Sequence, residues 1–136
     1  REKGIHFNIE IAQGIPLIAV DVKRIEFVIR ILMENALRYT PADGYISISV
    51  NFVENEYIRF MIKDSGIGIS SKDLSRVFGK FFRSREATGA DTEGMGLGLY
   101  IAQNIIKSHG GRIWAESAGV NKGTTFIFEI PVRHGK

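Results

Sequence analysis

The spacing of apolar residues changes period several times along the chain, and each change marks an element. Residues 5–11 alternate apolar and polar, which predicts a half-buried strand. After a loop around Pro16, Asp21 is placed to cap a helix whose apolar positions are Ile25, Val28, Ile29, Leu32 and Ala36. Steps of three and four trace one buried stripe. Pro41 disfavours helical geometry just before it and Gly44 follows, so this helix ends near Thr40. Ile46, Ile48, Val50 and Phe52 then alternate strictly, as do Ile58, Phe60 and Ile62 after a turn at Glu54-Asn55-Glu56. That pattern predicts a β-hairpin running into Asp64-Ser65-Gly66. A short helix is expected over about 71–77 with Ser70 as its cap. Residues 84–93 are small and polar without periodicity, and read as a mobile loop. A further helix opens at Leu97, repeats Ile101, Ala102, Ile105 and Ile106, and stops at Gly110-Gly111. Two strands close the chain, 112–116 and 124–132, the second with Phe126, Phe128 and Ile130 on one face. The elements add up to one α+β domain with helices packed on one face of a mixed sheet.

Composition narrows the class. At 136 residues, 44% apolar and 24% charged, the chain has the size and balance of one globular domain with its own core. No apolar run reaches the roughly 18–20 residues of a membrane span. The absence of cysteine excludes disulfide scaffolds, thiolate zinc sites and cysteine nucleophiles. The first residue is Arg1, which suggests a fragment of a longer protein. A net charge of +3 invites a nucleic-acid reading, but Lys and Arg are scattered, with no basic stripe interleaved with aromatics. The 15 glycines, concentrated in three places, carry more information.

Four segments have candidate chemistry. Asn35, Arg38 and Tyr39 border the apolar stripe of the first long helix, at about 100° per residue. An amide oxygen suits Mg²⁺, which often relies on few protein ligands plus substrate phosphates, and Arg38 and Tyr39 can reach those phosphates. Taken alone, the segment reads more readily as a partly buried Asn with ordinary helix-surface neighbours. Asp64-Ser65-Gly66-Ile67-Gly68 follows a strand directly, where a carboxylate can accept from an exocyclic amine and glycine lets backbone approach a flat base. It is also common turn chemistry. Gly94-Met95-Gly96-Leu97-Gly98-Leu99 opens a helix and offers N–H groups to phosphate. These glycines fit neither the dinucleotide fingerprint nor the P-loop spacing. Between them, Val77-Phe78-Gly79-Lys80-Phe81-Phe82-Arg83 reads as a core aromatic cluster or as an anchor for the following loop, with Lys80 and Arg83 offered to phosphate.

The order of these segments resembles the catalytic and ATP-binding domain of two-component sensor histidine kinases, in the GHKL superfamily. Asn35 to Pro41 resembles the N box, Asp64 to Gly68 the first glycine box, Phe78 to Arg83 the F box, and Gly94 to Leu99 the second glycine box. Gly123-Thr124-Thr125-Phe126 is similar to the closing glycine–threonine box, and His109 to Trp114 to the family's helix-to-strand turn. The resemblance covers nearly the whole chain. It implies a two-layer α/β sandwich, the Bergerat fold, with a mostly antiparallel mixed sheet, about three helices on one face and a flexible ATP lid over about 79–95. It further implies that Asp64 binds the adenine amino group beside Gly66 and Gly68, and that Asn35 holds Mg²⁺. Arg38, Tyr39 and Lys80 would contact phosphates, and Gly94, Gly96, Leu97 and Gly98 would shape the phosphate-facing helix start. Thr125 would support the adenine site through water.

The reaction so implied is transfer of the ATP γ-phosphoryl group to a histidine on a separate dimerisation domain, then to an aspartate of a response regulator. His6, His109 and His134 lack the H-[ED]-x-x-x-P context of such an acceptor, so the chain alone is not expected to phosphorylate itself. The resemblance implies a cytoplasmic domain of a bacterial-type, membrane-anchored parent, without nucleic-acid partners or membrane contact of its own. The chain departs from the family at Ile31, where many members carry a second Asn and hydrolysing relatives a water-activating Glu. Ile31 argues against efficient ATP hydrolysis. Two other readings remain: an anti-sigma-factor-type serine kinase, and an interaction module that has lost its nucleotide.

Overall fold

The capping and turn signals translate directly into elements. In the computed structural model, which describes residues 4–79 and 97–132, helix α1 spans Val22–Tyr39. The Asp21 carboxylate accepts the Arg24 N–H at 3.2 Å as N-cap, and Thr40 closes the helix in extended geometry. Thr40 is fully buried, and its hydroxyl donates to the Ala36 carbonyl at 2.6 Å. Strands β1 (His6–Ile11), β2 (Tyr45–Val53) and β3 (Tyr57–Asp64) surround that helix in sequence. Glu54 and Asn55 both adopt positive φ, 56° and 57°, the conformation that a two-residue hairpin turn requires. The Glu56 N–H donates to the Val53 carbonyl to close it.

Helix α2 covers only Ser71–Leu74, shorter than the 71–77 expected. The Asp73 carbonyl accepts the Arg76 N–H, which tightens the chain into turns after the first helical turn. Helix α3 (Leu97–Ser108) leads through Gly110 and Gly111 to β4 (Arg112–Glu116), and β5 (Thr124–Pro131) follows. The sheet order is β1-β2-β3-β5-β4, with β1 parallel to β2 and every other pair antiparallel. Val28, Leu32 and Ala36 of α1, Ala102 and Ile106 of α3, and Ile46, Ile62, Phe126 and Phe128 of the sheet meet in one core. His109 ties the far ends of the two long helices together. Its Nε2 accepts the Asp21 N–H at 3.1 Å and its Nδ1 lies 2.9 Å from the Ile105 carbonyl, so the neutral Nδ1–H form satisfies both. No helix among the described residues is long and apolar enough to cross a membrane.

Two expectations about the sheet change. β1 is not half-buried: all six of its residues are exposed, because it is the edge strand and no helix extends over it. β5 is buried on both faces rather than one, with Ile127 and Glu129 hidden alongside Phe126, Phe128 and Ile130. Glu129 is 1% exposed on the face away from the helices. Arg59 Nη2 and Nε reach its Oε2 at 2.6 and 2.7 Å, and Arg112 Nε reaches Oε1 at 3.0 Å. The Arg112 guanidinium also lies 4.7 Å from the Trp114 ring centroid, so it packs as well as pairs.

Candidate functional site

Asp64 ends β3 on the helix-facing side of the sheet, level with Ile46 on β2 and Thr124 on β5. It is 7% exposed, and its Oδ1 accepts the Gly66 N–H at 2.8 Å. Burial pushes its carboxyl above the usual carboxylate range, an effect only partly offset by backbone hydrogen bonds from Gly66 and Thr124. Two carboxylate oxygens offer about four lone-pair sites, so these two donors leave acceptor capacity for a further amine.

The glycines after Asp64 are needed for contacts within the protein. A Cβ on Gly66 would lie 2.4 Å from the Tyr39 carbonyl oxygen. That carbonyl also accepts the Ile67 N–H at 3.2 Å, so the strand exit is laced to the C-terminus of α1. Gly68 has φ +73° and would bring a Cβ to 2.1 Å from the Gly119 carbonyl oxygen. The loop over 117–123 is clamped against 66–69: the Asn121 N–H donates to the Ile67 carbonyl, and the Gly123 N–H to that of Gly66. Ser117 Oγ accepts the Ile69 N–H at 3.1 Å and donates to the Gly123 carbonyl at 2.7 Å.

The close approach at Gly66 brings α1 beside the carboxylate. Asn35, Arg38 and Tyr39 are half-buried in its last two turns. Ile31, one turn before Asn35, meets the start of α3, because a Cβ on Gly98 would come within 2.9 Å of Ile31 Cδ1. Leu97 and Gly98 therefore open α3 next to the α1 edge that carries Asn35. Val77 is buried, and the Phe78 ring meets that of Phe126 edge-on at 6.0 Å, which anchors the chain in the core just before residue 80. Lys80, Gly94 and Gly96 lie outside the described residues, as does nearly all of the expected lid.

One site residue needs correcting. Thr125 pairs across from Lys63, on the face opposite Asp64, because strand side chains alternate. Thr124 stands on the Asp64 face, is buried, and donates its backbone N–H to the carboxylate. Counting back in twos from Phe126 identifies it from the sequence alone. Ser117 was also missed, and nothing in its local sequence marks it. Among the described residues no group of three or more His, Asp or Glu side chains could hold a metal ion. The Asn35 amide oxygen, half-buried beside this site, is of the donor type that suits a sparsely ligated Mg²⁺.

Residues 20–134 match the model of the histidine kinase-, DNA gyrase B- and HSP90-like ATPase family. The sensor histidine kinase WalK of Bacillus subtilis (strain 168) is 36% identical over 131 residues, 93% of this chain but 21% of its own length. The catalytic domain of the histidine kinase ThkA superposes with a TM-score of 0.80 at 32% identity, covering 96% of this chain and 82% of that one. ThkA has also been solved with its response regulator TrrA (TM-score 0.78, 29% identity, 97% of this chain and 35% of that one). Full-length ShkA in complex with AMPPNP matches with a TM-score of 0.80 at 26% identity, over 96% of this chain and 26% of that one.

Proposed function

The chain belongs to the histidine kinase-, DNA gyrase B- and HSP90-like ATPase family, and from that premise we propose that it binds Mg–ATP and donates the γ-phosphoryl group to a histidine of a separate dimerisation domain. The observation that carries this reading is Asp64, a buried carboxylate with no cation against it among the described residues and with acceptor capacity left. Its ionised form would accept from the adenine amino group, while the neighbouring backbone, held close by Gly66 and Gly68, would flank the base.

Asn35 would hold Mg²⁺ with its amide oxygen. The metal would supply charge neutralisation at the phosphate oxygens. Arg38 and Tyr39, one turn on, are half-buried at the same helix end and would position the triphosphate, with Lys80 doing the same from the following segment. The start of α3, with Gly94, Gly96, Leu97 and Gly98, would turn N–H groups toward phosphate. In the transfer, an imidazole nitrogen of the acceptor forms an N–P bond to the γ-phosphorus, and the bond to the bridging oxygen breaks as ADP leaves. Catalysis of such a loose transition state rests on positioning and charge. Ile31 places an alkyl group where a hydrolytic enzyme needs a base to activate water, so transfer to a protein acceptor is favoured over hydrolysis.

The phosphohistidine would pass its group to a response-regulator aspartate, a reading supported by the ThkA–TrrA likeness. The domain would work in the cytoplasm, where ATP is. The test is to mix the chain with ATP and the dimerisation domain of a related kinase and assay acid-labile phosphate on the acceptor. Phosphate on that histidine is expected, with none on His6, His109 or His134. Label on any of those three, or none on the acceptor, contradicts the reading.

A further inference from the structure

The edge strand β1 has a surface that nucleotide binding leaves unused. Phe7, Ile9 and Ile11 are 41%, 60% and 65% exposed. They pair in register with Ile46, Ile48 and Val50, so they extend the helix-facing apolar side of the sheet beyond its cover. His6, Asn8 and Glu10 project from the opposite face, where the His6 ring stacks on Tyr45 at 5.2 Å between centroids.

The backbone of the edge is equally open. The His6 N–H donates to the Gly44 carbonyl and the Ala12 N–H to that of Val50, so the even-numbered residues turn their peptide groups toward β2. In a parallel pair the alternate residues point the other way, which leaves the N–H and C=O of Phe7, Ile9 and Ile11 directed outward. The strand has few of the usual protections of an edge: residues 6–11 include no proline, glycine or lysine, and Glu10 is the one acidic side chain.

We propose that this edge is a homodimer interface, in which β1 pairs antiparallel with β1 of a second copy about a twofold axis at Asn8. The strand is self-complementary in this register. Phe7 faces Ile9 of the second copy on the apolar side, and the reciprocal pair repeats it. On the polar side His6 faces Glu10, again twice, and Asn8 meets Asn8 on the axis. Phe7 and Ile9 carry outward peptide groups, so each Phe7–Ile9 pair exchanges both of its backbone hydrogen bonds. A one-residue slip sets outward groups against inward ones and reverses the faces. A two-residue slip keeps the backbone pattern but separates both His6–Glu10 pairs. The interface therefore selects one partner and one register, a second copy of this chain centred on Asn8.

The full chain contains no cysteine, so single cysteines report the register directly. In a non-hydrogen-bonded antiparallel pair the Cα atoms lie about 4.5 Å apart, which a disulfide spans. Asn8→Cys is therefore expected to form a covalent dimer on mild oxidation. In Glu10→Cys the two sulfurs would be anchored four residues apart along the strands, about 13 Å, and dimer should form at least about tenfold more slowly, since that gap exceeds disulfide reach. Sedimentation equilibrium of the unmodified chain should show a reversible dimer. Ile9→Lys, an exposed position, should weaken it by about tenfold or more through like-charge burial at the seam, with unchanged circular dichroism and nucleotide affinity. A monomer at every concentration, equal cross-linking at positions 8 and 10, or a dimer indifferent to Ile9→Lys would each overturn the proposal and leave the nucleotide reading untouched.

Discussion

Asp64 and Glu129 are the two buried carboxylates of the central strands β3 and β5, and they meet opposite fates. Glu129, on the face away from the helices, is held between two guanidiniums that reach across from β3 and β4. Asp64, on the helix side, receives backbone N–H groups of Gly66 and Thr124 and no cation among the described residues, and burial raises its carboxyl above the ordinary range. Equal burial thus has two meanings. A carboxylate saturated by arginines belongs to the architecture, since its charge is already compensated within the fold. One that is desolvated with no cation against it among the described residues would be ready for a donor that arrives from outside.

The largest effect should come from disturbing the compensated partner. Arg59→Ala leaves Glu129 buried with Arg112 alone, and should cost about 2–3 kcal/mol of folding stability, toward the lower end for a broken buried pair because one partner remains. Urea unfolding measures it; a loss under half of that would mean water already compensates Glu129. Next, Gly66→Ala forces a methyl against the Tyr39 carbonyl and should cost about 1–3 kcal/mol as an overpacked backbone contact. Unchanged stability would show that the strand exit and α1 are not locked together as described.

Asp64→Asn should change stability in a way that depends on pH. A raised folded-state value means that Asp64 favours folding while protonated; this advantage is complete below the ordinary carboxylate range and is lost as pH rises through the folded-state value. The ligand-free Asn variant should therefore gain stability relative to wild type between acidic and neutral pH, as followed by urea midpoints. A variant that instead falls behind as pH rises would make the Asp64 carboxylate a structural group. The smallest contrast lies across one strand: Thr125→Ala should change nucleotide affinity and stability by less than about 0.5 kcal/mol, as surface substitutions do, while Thr124→Ala should weaken binding by more. Equal effects in a titration would remove the distinction between the two faces.

Much of this was readable from residue order, because the deciding interactions are local. Asp21 and Ser70 cap helices within three residues, Thr40 and Pro41 end one, and Glu54-Asn55 turns a hairpin within four. Faces were legible wherever apolar residues alternate, as at Ile46, Ile48 and Val50. What escaped depends on register between distant strands. Glu129 looks solvent-facing in the sequence until β3 and β4 bring Arg59 and Arg112 to it from 70 and 17 residues away. β1 alternates like a half-buried strand, yet its burial depends on a cover that local pattern does not encode. Ser117 acts through a loop that meets 66–69 from 48 residues away. The Asp64 segment was legible as a motif, but the register that sets Thr124 rather than Thr125 on its face was misjudged by one residue.

The central claim concerns Asp64, and it is tested by titrating a fluorescent ATP analogue into the chain and its Asp64→Asn variant in the presence of Mg²⁺. The account predicts saturable binding that weakens by about 1.5–3 kcal/mol in the variant, the worth of a hydrogen bond to a charged group. Equal affinity in the two proteins, or no binding to either, would contradict it.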